Sequence, residues 1–205
     1  MHTALCLALL GAPSAAQQPW IALDASVGGT GSAQRAAVSA WYPVLRLTSR
    51  LHVGLAGRVS AYGGDPADYT NRGPVQAGLP PSVTVDPAVV ALNAAVFGEL
   101  RLTHRIALGA NLDLLGIATG PTRTAGSLVE KPQRFSYFRY GSADHGALNS
   151  EFFLSFRATA RVRLRAGVSH YVTNYTVVDT AIGAAPESRY QRFETVPFLA
   201  VSLRL

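Results

Sequence analysis

Leu45-Arg46-Leu47-Thr48-Ser49-Arg50-Leu51 returns 55 residues later as Leu100-Arg101-Leu102-Thr103-His104-Arg105-Ile106, and after 56 more as Phe156-Arg157-Ala158-Thr159-Ala160-Arg161-Val162. The common core is Arg-x-Thr-x-Arg, with apolar residues at alternate places on both sides. Alternation with a period of two marks a strand. A short polar break between two such strands marks a hairpin. With Thr-x-Arg as a three-residue loop, Leu47 faces Leu51, Leu102 faces Ile106 and Ala158 faces Val162. Opposed residues share one face of a sheet, and each of these pairs is apolar. Leu203-Arg204-Leu205 reads as a fourth copy that stops before its turn. The chain is expected to be a meander of paired strands with tight turns at one end.

Working outward from the repeats, eight alternating segments are expected as strands. They run from about Trp20 to Gly28, Ala37 to Leu47, Leu51 to Tyr62, Ala88 to Leu102, Ile106 to Leu114, Leu148 to Ala158, Val162 to Tyr175, and Tyr190 to the end. In the second, Trp41, Pro43, Leu45 and Leu47 are expected on the apolar face, with Tyr42 and Arg46 opposite. In the third, Leu51, Val53, Leu55, Val59 and Ala61 oppose His52, Gly54, Arg58, Ser60 and Tyr62. Gly28 to Ser32 is a short Gly-rich connection. Gly63 to Asp86, Gly120 to Gly146, and a segment holding Gly183 and Pro186 read as long loops.

Met1 to Ala16 has no charged side chain, an apolar run (Ala4 to Leu10) and then Gly11, Pro13 and Ser14-Ala15-Ala16. This is the pattern of a secretory signal, which leaves residues 17–205 as one domain. Beyond Cys6 there is no cysteine, so that domain has no disulfide scaffold, thiolate zinc site or cysteine nucleophile. The net charge of +6 comes from scattered arginines, with Lys131 the single lysine. That is no nucleic-acid footprint, which would cluster on one face. No apolar run is long enough for a membrane-spanning helix. With 48% hydrophobic residues, the apolar side chains must be distributed by alternation.

The face opposite the apolar one collects Asp24, Glu99, Asp113, Glu151 and Glu194 with Arg46, Arg58, Arg101, Arg157, Arg163, Arg165 and Arg204. In a soluble sandwich or lipocalin-like barrel these charges would meet water. In a membrane barrel they fill the interior, and the apolar face meets lipid. The second arrangement is favoured, because the charged face also carries Gly, Ala, Phe and Tyr, as a packed interior would. An even strand count with short turns at one end and long loops at the other points the same way. On this pattern the chain resembles the small eight-stranded outer-membrane barrels of the OmpA/OmpX type. One departure is Leu205, where that family carries a terminal aromatic residue. The resemblance implies an all-β, eight-stranded antiparallel up-and-down transmembrane β-barrel in a Gram-negative outer membrane. Its expected partners are outer-membrane lipid and the barrel assembly machinery.

An eight-stranded barrel has room for side chains and little else, so the inward charges are expected to pair as a plug and not to line an ion pathway. Four of them, Arg46, Arg101, Arg157 and Arg204, occupy the same place in the repeat and are expected to close the turn end. Arg134, Phe135, Tyr137, Phe138, Arg139 and Tyr140 alternate cations and aromatics in the second loop. They read as a hairpin extension contributing to an aromatic girdle, or as a surface that contacts extracellular glycan or protein. Ser169-His170 with Glu194 suggests a hydrolase, but neighbours on a strand point to opposite faces. The histidines lack metal-ligand spacing, and no phosphate-cradling glycine loop precedes a helix. The expectation is a non-enzymatic barrel without cofactor, with a structural or surface-binding role. The alternatives are a barrel-embedded lipid-modifying enzyme and a soluble periplasmic β-barrel that binds an apolar ligand.

Overall fold

The computed structural model describes residues 21–73, 79–181 and 187–205. The expected signal segment, Trp20, Gly183 and Pro186 lie outside the described residues. The described chain forms thirteen strands: β1 (Ala22–Gly29), β2 (Ala33–Arg46), β3 (Leu51–Gly64), β4 (Ala67–Asn71), β5 (Ser82–Val85), β6 (Ala88–Arg101), β7 (Ile106–Thr119), β8 (Arg123–Ala125), β9 (Leu128–Pro132), β10 (Phe135–Tyr137), β11 (Ala147–Arg157), β12 (Val162–Asp179) and β13 (Glu187–Arg204). All pair antiparallel, and the helical content among the described residues is one 3₁₀ turn, Gly141–Ala143.

Eight strands pair in a closed ring, in the order β1-β2-β3-β6-β7-β11-β12-β13 and back to β1. They correspond to the eight expected segments. The other five correct the expectation of irregular loops. β4 and β5 form a hairpin that joins the edge of β13, and β9 pairs with the end of β12. β10 lies along β7 at Leu115 to Ile117. It takes the place beside β7 that β11, which begins only at Ala147, leaves vacant. The run from Arg134 to Tyr140 therefore lies partly along the wall, and does not project beyond it.

The repeated phrase closes each tight turn in the same way. Leu47, Leu102 and Ala158 donate their N–H to the carbonyls of Leu51, Ile106 and Val162. Within each loop the threonine Oγ1 accepts two backbone N–H groups, as Thr103 does from Arg105 at 3.2 Å and Ile106 at 3.0 Å. Thr48 and Thr159 repeat this geometry. The arginine backbones link one turn to the next. Arg101, Arg157 and Arg204 donate to the carbonyls of Arg50, Arg105 and Arg161, each at 2.8 Å. The fourth copy is thus joined to the third by the same bond as the others.

Burial alternates along the ring strands, with the apolar row outside. Leu23, Val27, Val38, Leu55, Val59, Leu92, Leu115, Phe152, Leu154, Leu199 and Val201 are between 43% and 66% exposed. Asp24, Arg58, Asn93, Asn111, Asp113 and Glu151 are buried. Two bulges shift this phase. One between Pro43 and Leu45 puts Trp41 inside and Tyr42 outside, the reverse of the expected assignment. The expected faces were extrapolated from Leu45 and Leu47 across the extra residue, and a bulge inverts parity on one side of itself. The other leaves Leu114 between the partners of Ala94 and Ala95, so that Leu115 and Ile117 continue the outer row.

Inside, the wall makes room for large rings with glycine. Phe97 pairs across from Gly54 and Phe153 from Gly109, and a Cβ on either glycine would collide with the ring. Trp41 meets Phe97 edge-on at 5.0 Å, and Phe153 meets Phe198 at 6.5 Å. These rings separate a charged layer at the turn end from a second one nearer the loops. Above that second layer, Tyr69, Tyr171, Tyr175 and Tyr190 are buried with Val83, Val85 and Val177 in an aromatic cap.

Candidate functional site

The central feature of the interior is a charged network built from strands on opposite sides of the ring. Glu151 of β11 accepts four hydrogen bonds. Its Oε1 faces Arg35 Nη1 at 2.6 Å and Asn149 Nδ2 at 3.2 Å. Its Oε2 faces Asn111 Nδ2 at 2.6 Å and Arg58 Nη2 at 3.3 Å. Arg58 also donates through Nη1 to Asp113 Oδ1 at 2.9 Å and through Nε to Ser39 Oγ at 3.3 Å. Asp113 Oδ2 accepts from Asn93 Nδ2 at 2.8 Å and the Asn149 N–H at 3.0 Å. Two guanidiniums thus face two carboxylates with the charge balanced. Arg58 and Glu151 are each 1% exposed and Asp113 is fully buried. Charges this dry persist only when paired and hydrogen-bonded. Arg35 lies 4.9 Å from the Phe198 ring centroid and Arg58 5.7 Å from that of Trp41, which adds cation–π attraction.

Nearer the turns, Arg165 pairs with Asp24, its guanidinium 4.3 Å from the Phe153 ring centroid. Arg163 Nη1 reaches both Glu99 oxygens, at 2.6 and 2.7 Å, in a half-buried position. Arg101, Arg157 and Arg204 lie half-buried at the turn end. Arg46 is a correction. It is exposed, and it donates to the turn carbonyls of Thr48 and Ser49 at 3.3 Å instead of entering the interior. Glu194 lies at the other end, paired with Arg192 at 2.7 Å.

Sequence reasoning missed Arg35 and Arg192. Arg35 escaped because the second strand was expected to start at Ala37, and the structure starts β2 at Ala33. Parity would not have found it either: Arg35 shares the parity of Trp41, which was expected outside, and the bulge at Pro43 sets both inside. Arg192 shares the parity of Glu194, and that signal was present in the sequence.

At the loop end, Tyr69 Oη is 2.7 Å from Thr173 Oγ1, and burial pushes the Tyr69 phenol above its ordinary range. Tyr62 stacks on Tyr171 at 4.6 Å, and Tyr190 Oη donates to the Pro80 carbonyl at 2.6 Å. Of the expected surface run, Phe135 and Tyr140 are 65% and 82% exposed, while Tyr137 stacks on His145 at 4.4 Å. Arg134 lies beside Phe135, and Phe138 is exposed. Asp144 Oδ1 accepts the N–H groups of Arg139 and Tyr140 at 2.8 and 2.7 Å and so closes the loop on itself. Arg189 Nη2 ties it to a neighbour by donating to the carbonyls of Ser142 at 2.8 Å and Arg72 at 3.2 Å. Burial, and then the charges of Arg189 and Arg139, hold the His145 imidazole below its ordinary pKa.

Ser169 and His170 point apart. Ser169 Oγ donates to Asn149 Oδ1 at 2.5 Å inside, and His170 Nδ1 meets Thr195 Oγ1 at 3.0 Å outside. Among the described residues, no group of three or more His, Cys, Asp or Glu is placed to hold a metal ion. Nor is any helix there long and apolar enough to cross a membrane, which says nothing of crossing by strands.

The chain matches no family model and no curated protein. Among solved structures it is similar to a major outer membrane protein from Thermus thermophilus, at 13% identity over 92% of this chain and 100% of that one, with a TM-score of 0.41. It is also similar to the β domain of the Bordetella autotransporter BrkA, at 10% identity over 91% and 98%, with a TM-score of 0.19. Overlays this loose carry no argument about function, which rests on the geometry above.

Proposed function

We propose that the chain is an eight-stranded, up-and-down outer-membrane β-barrel of the OmpA/OmpX kind with a salt-bridged interior, acting without catalysis as a structural or surface-contact protein. One observation carries this reading: the ring is inside out relative to a water-soluble β-protein. Its outward row is apolar and exposed on all eight strands, and Asp24, Arg35, Arg58, Asp113, Glu151 and Arg165 are buried within. A continuous apolar belt of that kind demands an apolar solvent. Closure of the ring pairs the long strands along most of their edges, as a bilayer requires. The belt also has the right height. On β13 it runs from Pro197 to Leu205, which at a rise of about 3.4 Å and a tilt of about 40° spans about 21 Å, close to the band of about 25 Å in outer-membrane barrels.

The neutral Arg35–Glu151–Arg58–Asp113 network supports a plugged interior over an ion pathway, since all four residues are at most 4% exposed. Surface contact falls to the loop end, where Phe135, Phe138 and Tyr140 are exposed. The test is membrane fractionation combined with gel mobility of boiled and unboiled samples. The folded protein should sediment with outer membranes and change mobility on boiling. Recovery in the soluble fraction would refute the proposal.

A further inference from the structure

The wall of the ring has a notch, and its cause is readable in the sequence. β1 is the shortest ring strand. It pairs with β13 from Arg204 up to Phe198, and β4 pairs with β13 at Gln191 and Tyr190. Between Phe198 and Gln191 no strand pairs with that edge. The bond from the Leu205 N–H to the Ile21 carbonyl marks the odd residues of β13 as those bonding toward β1. The rung above Leu199–Val27 would need a donor at Pro197, which has none. By the same alternation, the N–H and C=O groups of Phe193 and Thr195 point into the notch and meet no strand.

A groove of about 1320 Å³ lies beside it, lined by Val27, Ala36, Ala166 and Leu199 from the outer row and by Gly28, Gly29 and Pro197 where the β1–β13 ladder ends. Arg35 is 4% exposed, and its Nε is buried with no partner among the described residues. The notch also marks a change on the outer surface. Below it Leu199, Val201 and Leu203 are exposed, whereas above it Thr195 bonds His170 and Phe193 stacks on His170 at 5.6 Å. Aromatic and polar groups together mark the membrane–water boundary.

The occupant of such a site must bring hydrocarbon for the lower groove and acceptors for the backbone donors above it, since lipid tolerates no open strand edge. We propose that the notch binds one outer-leaflet lipid, an acyl chain lying against Val27, Ala166 and Leu199 and its ester, amide or phosphate oxygens facing the edge at Phe193 and Thr195. This rests on the membrane-barrel reading.

The test uses the full chain in phosphatidylcholine nanodiscs containing a phosphatidylcholine with a diazirine in its acyl chain. After illumination, the labelled peptides are mapped. Labelling should be severalfold higher on peptides carrying Val27, Ala36 and Leu199 than on those carrying Leu92. Ala166→Trp fills the groove from outside and should remove that excess, as should Ala36→Trp from the neighbouring strand. Leu115→Trp, a lipid-facing change on β7, should leave it intact. Even labelling around the belt, or an excess that survives both groove-filling variants, would overturn the lipid site while leaving the barrel standing. Absence of label on every belt peptide would instead overturn the barrel, and the site with it.

Discussion

Glu151→Gln removes one charge from the interior and almost no volume. The carboxylate accepts from Arg35, Arg58, Asn111 and Asn149. An amide keeps one acceptor and turns the other oxygen into a donor that faces two donors. The network passes from neutral to one positive charge. Asp113 still holds Arg58 at 2.9 Å, so the loss falls on Arg35, left with Ser26 Oγ at 2.5 Å. Breaking one side of a dry pair costs about 3–5 kcal/mol. With a urea slope of about 2 kcal/mol per M, the unfolding midpoint should fall by about 2 M. Trp41, whose ring centroid lies 5.7 Å from the Arg58 guanidinium, provides the fluorescence signal. Adding Arg35→Met should recover part of the loss, because it removes the orphaned charge. The unmutated protein should show no steady conductance in planar bilayers. Stable channels there, with Glu151→Gln within about 0.5 kcal/mol of wild type, would mean a wet interior and refute the plug.

Leu115→Arg, on the exposed outer row of β7, should cost about 2–4 kcal/mol if it lies near the bilayer midplane. A nitroxide at the same position should relax with a lipid-soluble quencher and hardly at all with a water-soluble one; the reverse would reject the orientation. Thr103→Val removes the acceptor for two backbone N–H groups in an exposed turn and should cost about 1 kcal/mol in urea unfolding. Because His145 is held below its ordinary pKa of 6.5 by burial and by Arg189 and Arg139, the unfolded loop takes up a proton before the folded one does. Its contribution to stability is complete above about pH 6.5 and is lost as pH falls through the lower folded value. Proteolysis between β10 and β11 should therefore speed up from about pH 7.5 to about pH 5, and His145→Phe should flatten that change.

Local pattern was enough for the turns and for most of the wall. A three-residue loop with threonine at its first place has one economical geometry, and three copies of it appear in the hydrogen bonds. Alternation succeeded on β3 and β6, where each inward residue is two places from the next. It failed at Trp41, because a bulge is a change of one residue in length that no side chain near Pro43 announces. Arg46 failed for a different reason. Parity gives a face, but at the rim that face borders solvent, and turn carbonyls compete for the guanidinium. The hairpin of β4 and β5 was illegible because such short strands are specified by the edge of β13 that they join, not by their own residues.

The pairings inside the ring lie beyond any local signal. Arg35 and Glu151 are 116 residues apart in the chain, Arg58 and Glu151 93, and Arg58 and Asp113 55. Parity placed Arg58, Asp113 and Glu151 on one face, yet partners across a ring depend on its stagger, which one strand does not encode. The same dependence explains why a single proline has so large an effect. Within a flat sheet, Pro197 would cost one rung. In a ring whose first strand is already short, it ends the β1–β13 ladder and opens the wall at the height where the outer surface turns from aliphatic to polar. Replacing Pro197 with an ordinary residue restores the missing donor, so it should let Gly29 pair and narrow the notch. Slower amide exchange at Gly29, with protection of the new N–H at position 197, in Pro197→Val would show that extension. Unchanged exchange there would mean that the bend at Thr30 to Ser32, and not the proline, sets the height of the breach.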